Sequence, residues 1–215
     1  MDLLVENFLS NIYNKKYRGN IGESMNKTKR KIFDASMKLF AEKGYDATSV
    51  EEITGAVGVA KGTLYYHFSS KEEIFNFLVD EGTKLLLNNM EIKTKKLENS
   101  LDKLRAISIL QIRVLKKYEN LITIILSQIY GTDSRSKKCR DTVLTYVAEV
   151  EKIVKCGMQK GEIKEGNSSI VATEIFAFTF ITMVEKVKNG EEIDVRKYSL
   201  EFDNLLKGLA NNKGE

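Results

Sequence analysis

The chain has 215 residues, 42% hydrophobic and 30% charged, with no proline, two cysteines and a formal net charge of +4; that length supplies one large domain or two small ones and a core that needs no disulfide or metal. Average usage predicts about eleven prolines, and their absence excludes polyproline and collagen-like segments and removes the strongest helix breaker. The isolated Cys139 and Cys156 exclude a disulfide scaffold and favour a reducing, cytoplasmic setting.

Residues 1–26 read as an N-terminal extension. Leu3, Leu4, Phe8 and Ile12 form a weak apolar stripe, and Asn, Gly and Lys dominate afterwards. The segment lacks the basic lead-in and small-residue cleavage site of a signal peptide. From Lys15 to Lys31 seven basic residues (Lys15, Lys16, Arg18, Lys27, Lys29, Arg30 and Lys31) face one acid, Glu23. Taken alone, such a run suits a solvated helix start as well as a phosphate-binding arm.

From Lys27 a helical period sets in. Ile32, Ala35, Leu39 and Phe40 share one face, and Gly44 supplies a stop. Ser49-Val50-Glu51-Glu52 is a capping box that opens a short helix carrying Val50, Ile53 and Val57 and ending at Gly58. A second short helix runs from Lys61 to Phe68, with Leu64 and Phe68 on its inner face. Another capping box, Ser70-Lys71-Glu72-Glu73, begins a longer helix through Ile74 and Leu78. Together these segments spell a helix-turn-helix, whose tight turn needs a left-handed residue and therefore glycine.

The remainder continues in helices. Leu104, Ile107, Leu110, Val114 and Tyr118 make one stripe, and a helix from Asn120 to Tyr130 is expected to stop at Gly131. Val143, Val147, Val150, Val154 and Met158 mark a long helix halted by Gly157 or Gly161. Between Ile170 and Val187 the pattern is apolar nearly all round, which predicts burial on more than one side. No apolar run reaches the ~18 residues of a membrane helix. Tyr198, Phe202, Leu205, Leu206 and Leu209 close the chain with an amphipathic helix. The expected fold is all-α, with about nine helices.

The outer face of the second short helix carries Lys61, Gly62, Thr63, Tyr65, Tyr66 and His67. Two phenols, an imidazole and an ammonium suit phosphate oxygens and base edges, and a glycine lets a backbone come close. The competing view is that Tyr65 and His67 are buried and internally satisfied. The run Lys61-Gly62-Thr63 after Gly55 and Gly58 also hints at a phosphate loop, but the Walker order is Gly-Lys-Thr and no strand precedes it. A single histidine and no nucleophile motif speak against an enzyme.

The stretch Leu39-Phe40-Ala41-Glu42-Lys43-Gly44-Tyr45-Asp46-Ala47-Thr48-Ser49-Val50-Glu51-Glu52-Ile53, continuing through Gly58 to Phe68 and Ser70-Lys71-Glu72, resembles the DNA-binding domain of the TetR family of transcriptional regulators. The resemblance covers about fifty residues. It implies that Lys61, Gly62, Thr63, Tyr65, Tyr66 and His67 lie on or beside a recognition helix, that Lys71 contacts phosphate, and that Thr48, Ser49 and Val50 touch the DNA backbone. It also raises the standing of Lys27 to Lys31 as phosphate contacts. Two departures are visible: Thr54 stands where the family usually has alanine, and Ala60, which cannot cap, where it often has serine.

The implied organisation is an extension over 1–26, a helix-turn-helix domain over 27–72 and a helical effector-binding and dimerisation domain over 73–215. The implied partners are a double-stranded DNA operator, a small-molecule effector and a second copy packed through the last two long helices, with no cofactor, metal or membrane. Tyr118, Ile125, Tyr146, Phe180 and Met183 are the candidate pocket residues, although such side chains are more often plain core. Glu149 and Glu174 fit a cationic ligand or simple surface. The expected function is a repressor released from a pseudo-palindromic operator by an apolar or amphipathic effector. The alternative is a helix-turn-helix regulator controlled by a protein partner.

Overall fold

The computed structural model describes residues 26–188 and 194–211, and the regular elements within them are helices. In order they are α1 (Lys27–Lys43), α2 (Val50–Val57), α3 (Lys61–His67), α4 (Lys71–Thr94), α5 (Ser100–Lys117), α6 (Glu119–Gln128), α7 (Ser134–Gln159), α8 (Ser168–Lys188) and α9 (Val195–Leu209). Lys15, Lys16 and Arg18, with the rest of residues 1–25, lie outside the described residues.

Local chemistry sets the helix ends. Side-chain oxygens of Asn26, Asn99, Asp133 and Asp194 accept first-turn amides of α1, α5, α7 and α9, the donors that a helix start leaves unsatisfied. The amide and hydroxyl of Ser136, and then Arg135, hold the Asp133 carboxyl down to about 2. Gly44 ends α1 with φ 86°, its N–H donating to the Phe40 carbonyl at 3.0 Å. Of the two stops open for α7, the left-handed one is Gly161, at φ 70°. Gly157 lies inside the helix, where a side chain would collide with Ile163 and Ser100. Gly131 differs from expectation: α6 already ends at Gln128, and Gly131 has no positive φ. It is small because the Ser136 side chain occupies the space a Cβ would need.

Two apolar clusters form the core. The first joins Ile32, Phe33 and Phe40 of α1 to Ile53, Leu64, Phe68, Ile74, Phe75 and Leu78, and it takes Leu121, Ile124, Ile125 and Cys139 from α6 and α7. The second contains Leu104, Ile107 and Leu110 of α5, Tyr146, Val150 and Val154 of α7, Ile175 of α8, and Phe202 and Leu206 of α9. Each fully buried side chain of this size contributes about 1.5–3 kcal/mol. Tyr118 and Val143 pack against both clusters. α4 runs unbroken across the boundary expected at residues 72–73, so the two units share a helix and part of a core.

α8 and α9 are fastened to the rest by polar contacts as well. Arg105 of α5 pairs with Asp203 of α9 and Asp102 of its own helix, and the Tyr198 hydroxyl donates to Thr179 at 2.7 Å. α8 buries Ala172, Ile175 and Thr179, yet Ile170 and Ile181 are more than half exposed, as is Leu200 of α9. Among the described residues of a single chain, this side of α8 stays largely uncovered. None of the described helices is long and apolar enough to cross a membrane.

Candidate functional site

The capping box of α2 forms as the sequence requires. The Ser49 hydroxyl oxygen accepts the Glu52 N–H at 3.1 Å, and the Glu52 carboxylate accepts the Ser49 N–H at 2.8 Å. Lys43, the last residue of α1, donates to the same carboxylate at 2.7 Å, which ties the end of one helix to the start of the next. Lys43 first, then the Ser49 amide and hydroxyl, hold the Glu52 carboxyl down to about 2.

The turn follows at Gly58, with φ 74° and ψ 38°, the left-handed geometry that disfavours a side chain by about 1–2 kcal/mol. Its N–H donates to Thr54 and Gly55 carbonyls. Thr54 is buried, and its hydroxyl is satisfied by the Glu51 carbonyl at 3.0 Å, so the extra oxygen is accommodated without an orphan. Ala60 starts α3 with no side-chain cap. An ion pair from Lys61 to Glu51 instead links the first residue of α3 back to α2. The Lys61 partnership draws the Glu51 carboxyl below its ordinary range.

Leu64 and Phe68 anchor α3 in the core with no more than 1% exposure, which leaves the opposite face outward. Tyr66 is 84% exposed and Tyr65 49%, Lys61 and Gly62 are exposed, and Thr63 and His67 are half-buried. Tyr66 and His67 meet edge to face at 5.1 Å. A Cβ added to Gly62 would meet nothing within 4 Å. Its own fold therefore gives no packing reason for glycine there, although glycine in a helix costs about 1 kcal/mol relative to alanine.

The other candidates are placed differently. Thr48 is buried and turns its hydroxyl inward, donating to the Gly44 carbonyl at 2.8 Å, while its N–H donates to the Tyr45 carbonyl at 3.3 Å, so its polar groups are spent on holding the loop. Ser49 is exposed and Val50 half-buried at the α2 start. Lys71 is half-buried, and its ammonium donates to the Tyr45 and Thr48 carbonyls, each at 2.8 Å. In the basic stretch, Lys29 lies over the rings of Phe68 and Phe77 at 4.7 and 4.4 Å, and Arg30 pairs with Asp34, while Lys27 and Lys31 are exposed. The second capping box is only half formed. Ser70 accepts the Glu73 N–H, but the Glu73 carboxylate takes the amide and hydroxyl of Ser69.

A contact that sequence reasoning missed joins the two units. The Tyr45 ring lies between two cations, the Lys71 ammonium at 4.3 Å and the Arg135 guanidinium at 4.0 Å. Arg135 also reaches Asp46 at 3.4 Å, and the Ser134 hydroxyl donates to Glu72 at 2.9 Å. The start of α7 thus grips both the α1–α2 loop and the start of α4.

Farther along the same helices is a cavity of about 490 Å³, counting its open mouth. Its wall comprises Leu86 of α4, Gln111 and Val114 of α5, Ile122 and Ile125 of α6, Thr142, Val143 and Tyr146 of α7, and Phe176 and Phe180 of α8. Three expected residues, Ile125, Tyr146 and Phe180, are there. Tyr118 is not: it sits at the α5–α6 corner between the two cores. The side chain of Met183 lies outside the described residues. Neither Glu149, paired with Lys152, nor the exposed Glu174 contributes to the wall.

Comparison with known proteins agrees with this geometry. Residues 32–77 match the family model described as bacterial regulatory proteins, tetR family. A Clostridium perfringens structure described as a fatty acid metabolism regulator is 30% identical, with a TM-score of 0.77, over 84% of this chain and 98% of that one. The fatty acid metabolism regulator protein of Bacillus subtilis (strain 168) is 28% identical over 184 residues, 85% of this chain and 95% of its own length. FadR from Bacillus subtilis, solved in complex with stearoyl-CoA, is 27% identical with a TM-score of 0.72, over 82% of this chain and 96% of that one.

Proposed function

Because the chain belongs to the TetR family of transcriptional regulators, we propose that it acts as a homodimeric repressor released from DNA by a long-chain acyl thioester. The observation that carries the DNA-reading part is the outer face of α3, where Tyr66 stands 84% exposed beside a glycine that the fold itself does not need. Each α3 enters a major groove, and the two-fold dimer reads half-sites about 34 Å, one helical turn, apart or a multiple of it. Tyr65, Tyr66, Thr63 and His67 supply donors and acceptors to base edges and phosphates, and Gly62 allows close backbone approach. Ser49 and Val50 lie against the sugar–phosphate chain, and Thr48 holds the loop that presents them. Lys61 and Lys71 add positive charge, as do Lys27 and Lys31 at the start of α1.

The uncovered apolar side of α8, with Ile170 and Ile181, and Leu200 on α9 form the face that a second copy would bury. The cavity supports the small-molecule reading over control by a protein partner, and its wall has no charged side chain to pair with a cationic ligand. An acyl effector is supported by the likeness to fatty acid metabolism regulators, one of them holding stearoyl-CoA. The route from cavity to DNA is short. α4 carries Leu86 in the cavity wall and Lys71 under the α1–α2 loop, and α7 carries Tyr146 in the wall and Arg135 on Tyr45. A ligand that spreads α4 from α7 changes the angle of the reading head and lowers DNA affinity by the coupling free energy, typically about 1–3 kcal/mol.

The test is fluorescence anisotropy with duplexes from the region upstream of the protein's own coding sequence. The full chain should bind a pseudo-palindrome, palmitoyl-CoA should release it, and Tyr66→Ala should lose the DNA while remaining a dimer by sedimentation. A Tyr66→Ala protein that binds normally would remove α3 from the interface.

A further inference from the structure

Gln111 is a polar side chain in the apolar wall of the cavity, and only 3% of it is exposed. Its side-chain oxygen accepts the Tyr146 hydroxyl at 3.0 Å. Its amide nitrogen is buried and has no hydrogen-bond partner among the described residues. The contact sets the amide oxygen towards Tyr146 and the nitrogen away from it. Buried donors are nearly always paired in native proteins, and an unpaired one calls for an account. An acceptor carried by a ligand would supply that account.

The character of that acceptor follows from its neighbours. No Lys, Arg or His is among the residues of the wall, so a carboxylate placed against Gln111 would lose its water without gaining a counter-charge. A neutral carbonyl oxygen accepts the same N–H without that penalty. We infer that the Gln111 amide nitrogen donates to the carbonyl oxygen of a bound acyl thioester, so that the cavity reads the acyl carbonyl as well as the chain and prefers the thioester to a free fatty acid. The inference rests on the acyl-thioester reading above.

Two probes isolate the carbonyl. Palmitoyl-CoA and S-hexadecyl-CoA share chain length and nucleotide, but in the second a methylene replaces the carbonyl. Calorimetric titration of the full chain should give about tenfold tighter binding for the thioester, the effect of leaving one buried donor unsatisfied. Gln111→Leu combined with Tyr146→Phe, which removes the hydroxyl that Gln111 otherwise accepts, should bind the two within about twofold of each other, since neither donor of that pair then needs satisfying. Gln111→Met, closer in shape, serves the same purpose if the leucine variant melts early. Palmitate should bind the wild-type protein more weakly than palmitoyl-CoA, and Gln111→Leu should not tighten it. Equal wild-type affinities for the two CoA probes, or a preference that survives removal of the amide, would overturn the inference and leave the acyl-thioester reading standing. If neither CoA probe binds, that reading falls and takes this one with it.

Discussion

Replacing Gly62 with alanine should move stability and DNA affinity in opposite directions, because the residue has no packing role within the chain. The new Cβ would meet no heavy atom within 4 Å, and the position lacks the positive φ that would strain it. Alanine gains about 0.8–1.0 kcal/mol over glycine inside a helix. Gly62 is the second residue of α3, so about half of that, ~0.5 kcal/mol, is the reasonable share. For a domain of this size such a gain raises Tm by about 1–2 °C. On DNA the methyl group occupies the space through which the α3 backbone approaches. Affinity should drop by about tenfold, the effect of one poorly matched position in a specific site. Thermal melting by circular dichroism and anisotropy on one operator duplex measure the two effects on the same sample. A lower Tm would mean that Gly62 serves the fold after all. A higher Tm with unchanged DNA affinity would mean that this face of α3 stays clear of DNA.

Three further outcomes are expected. Lys71→Ala should weaken binding to all duplexes alike and reduce the slope of log K against log salt by about one; a changed base preference would refute a phosphate role. Glu52 has a depressed carboxyl, so the stability it contributes is present above about pH 4.5 and fades as pH falls towards about 2, where the carboxylate that Lys43 and Ser49 hold is finally protonated. Urea titrations of wild type and Glu52→Gln across that window should converge at the acid end, and a constant difference would break the assignment. Asp203→Ala removes the carboxylate that Arg105 meets on α9 and should cost about 1.5–3 kcal/mol at neutral pH, read by urea unfolding; no loss would mean that the pair is spectator to the fold.

The parts of the molecule that sequence revealed are those set by local chemistry. Ser49 and Glu52 announce a capping box because both partners lie within one turn, and Gly58 announces the left-handed turn because few other residues accept it. Where two neighbours offer the same group, the sequence leaves the choice open: Glu73 turns to Ser69 rather than Ser70 because the chain entering from Phe68 presents that amide. Thr48 and Lys71 sit where a resemblance puts DNA contacts, yet each satisfies carbonyls of the α1–α2 loop, a tertiary arrangement that spacing along the chain does not encode. The cavity was half legible. Ile125, Tyr146 and Phe180 follow from helical stripes, but Leu86 and Val143 carry the same signal as any core residue. Gln111 did leave a mark, an amide between Leu110 and Ile112 in an otherwise apolar run. The grip of Arg135 on Tyr45 pairs residues ninety positions apart, and nothing in either segment alone foretells it.

α4 is one uninterrupted rod of 24 residues, and this has a mechanical consequence. Leu86 at the cavity lies about 22 Å along the axis from Lys71 at the loop, at 1.5 Å per residue. With the Lys71 end taken as the pivot, a tilt of about 3° displaces the far end by about 1 Å over that length, roughly the room that a ligand's added width demands. In the proposed mechanism the helix would work as a lever: small sideways strokes at one end would become small, stiff rotations at the other. In the proposed dimer, two such rotations would act on opposite ends of a single span of DNA, and their misalignments would add.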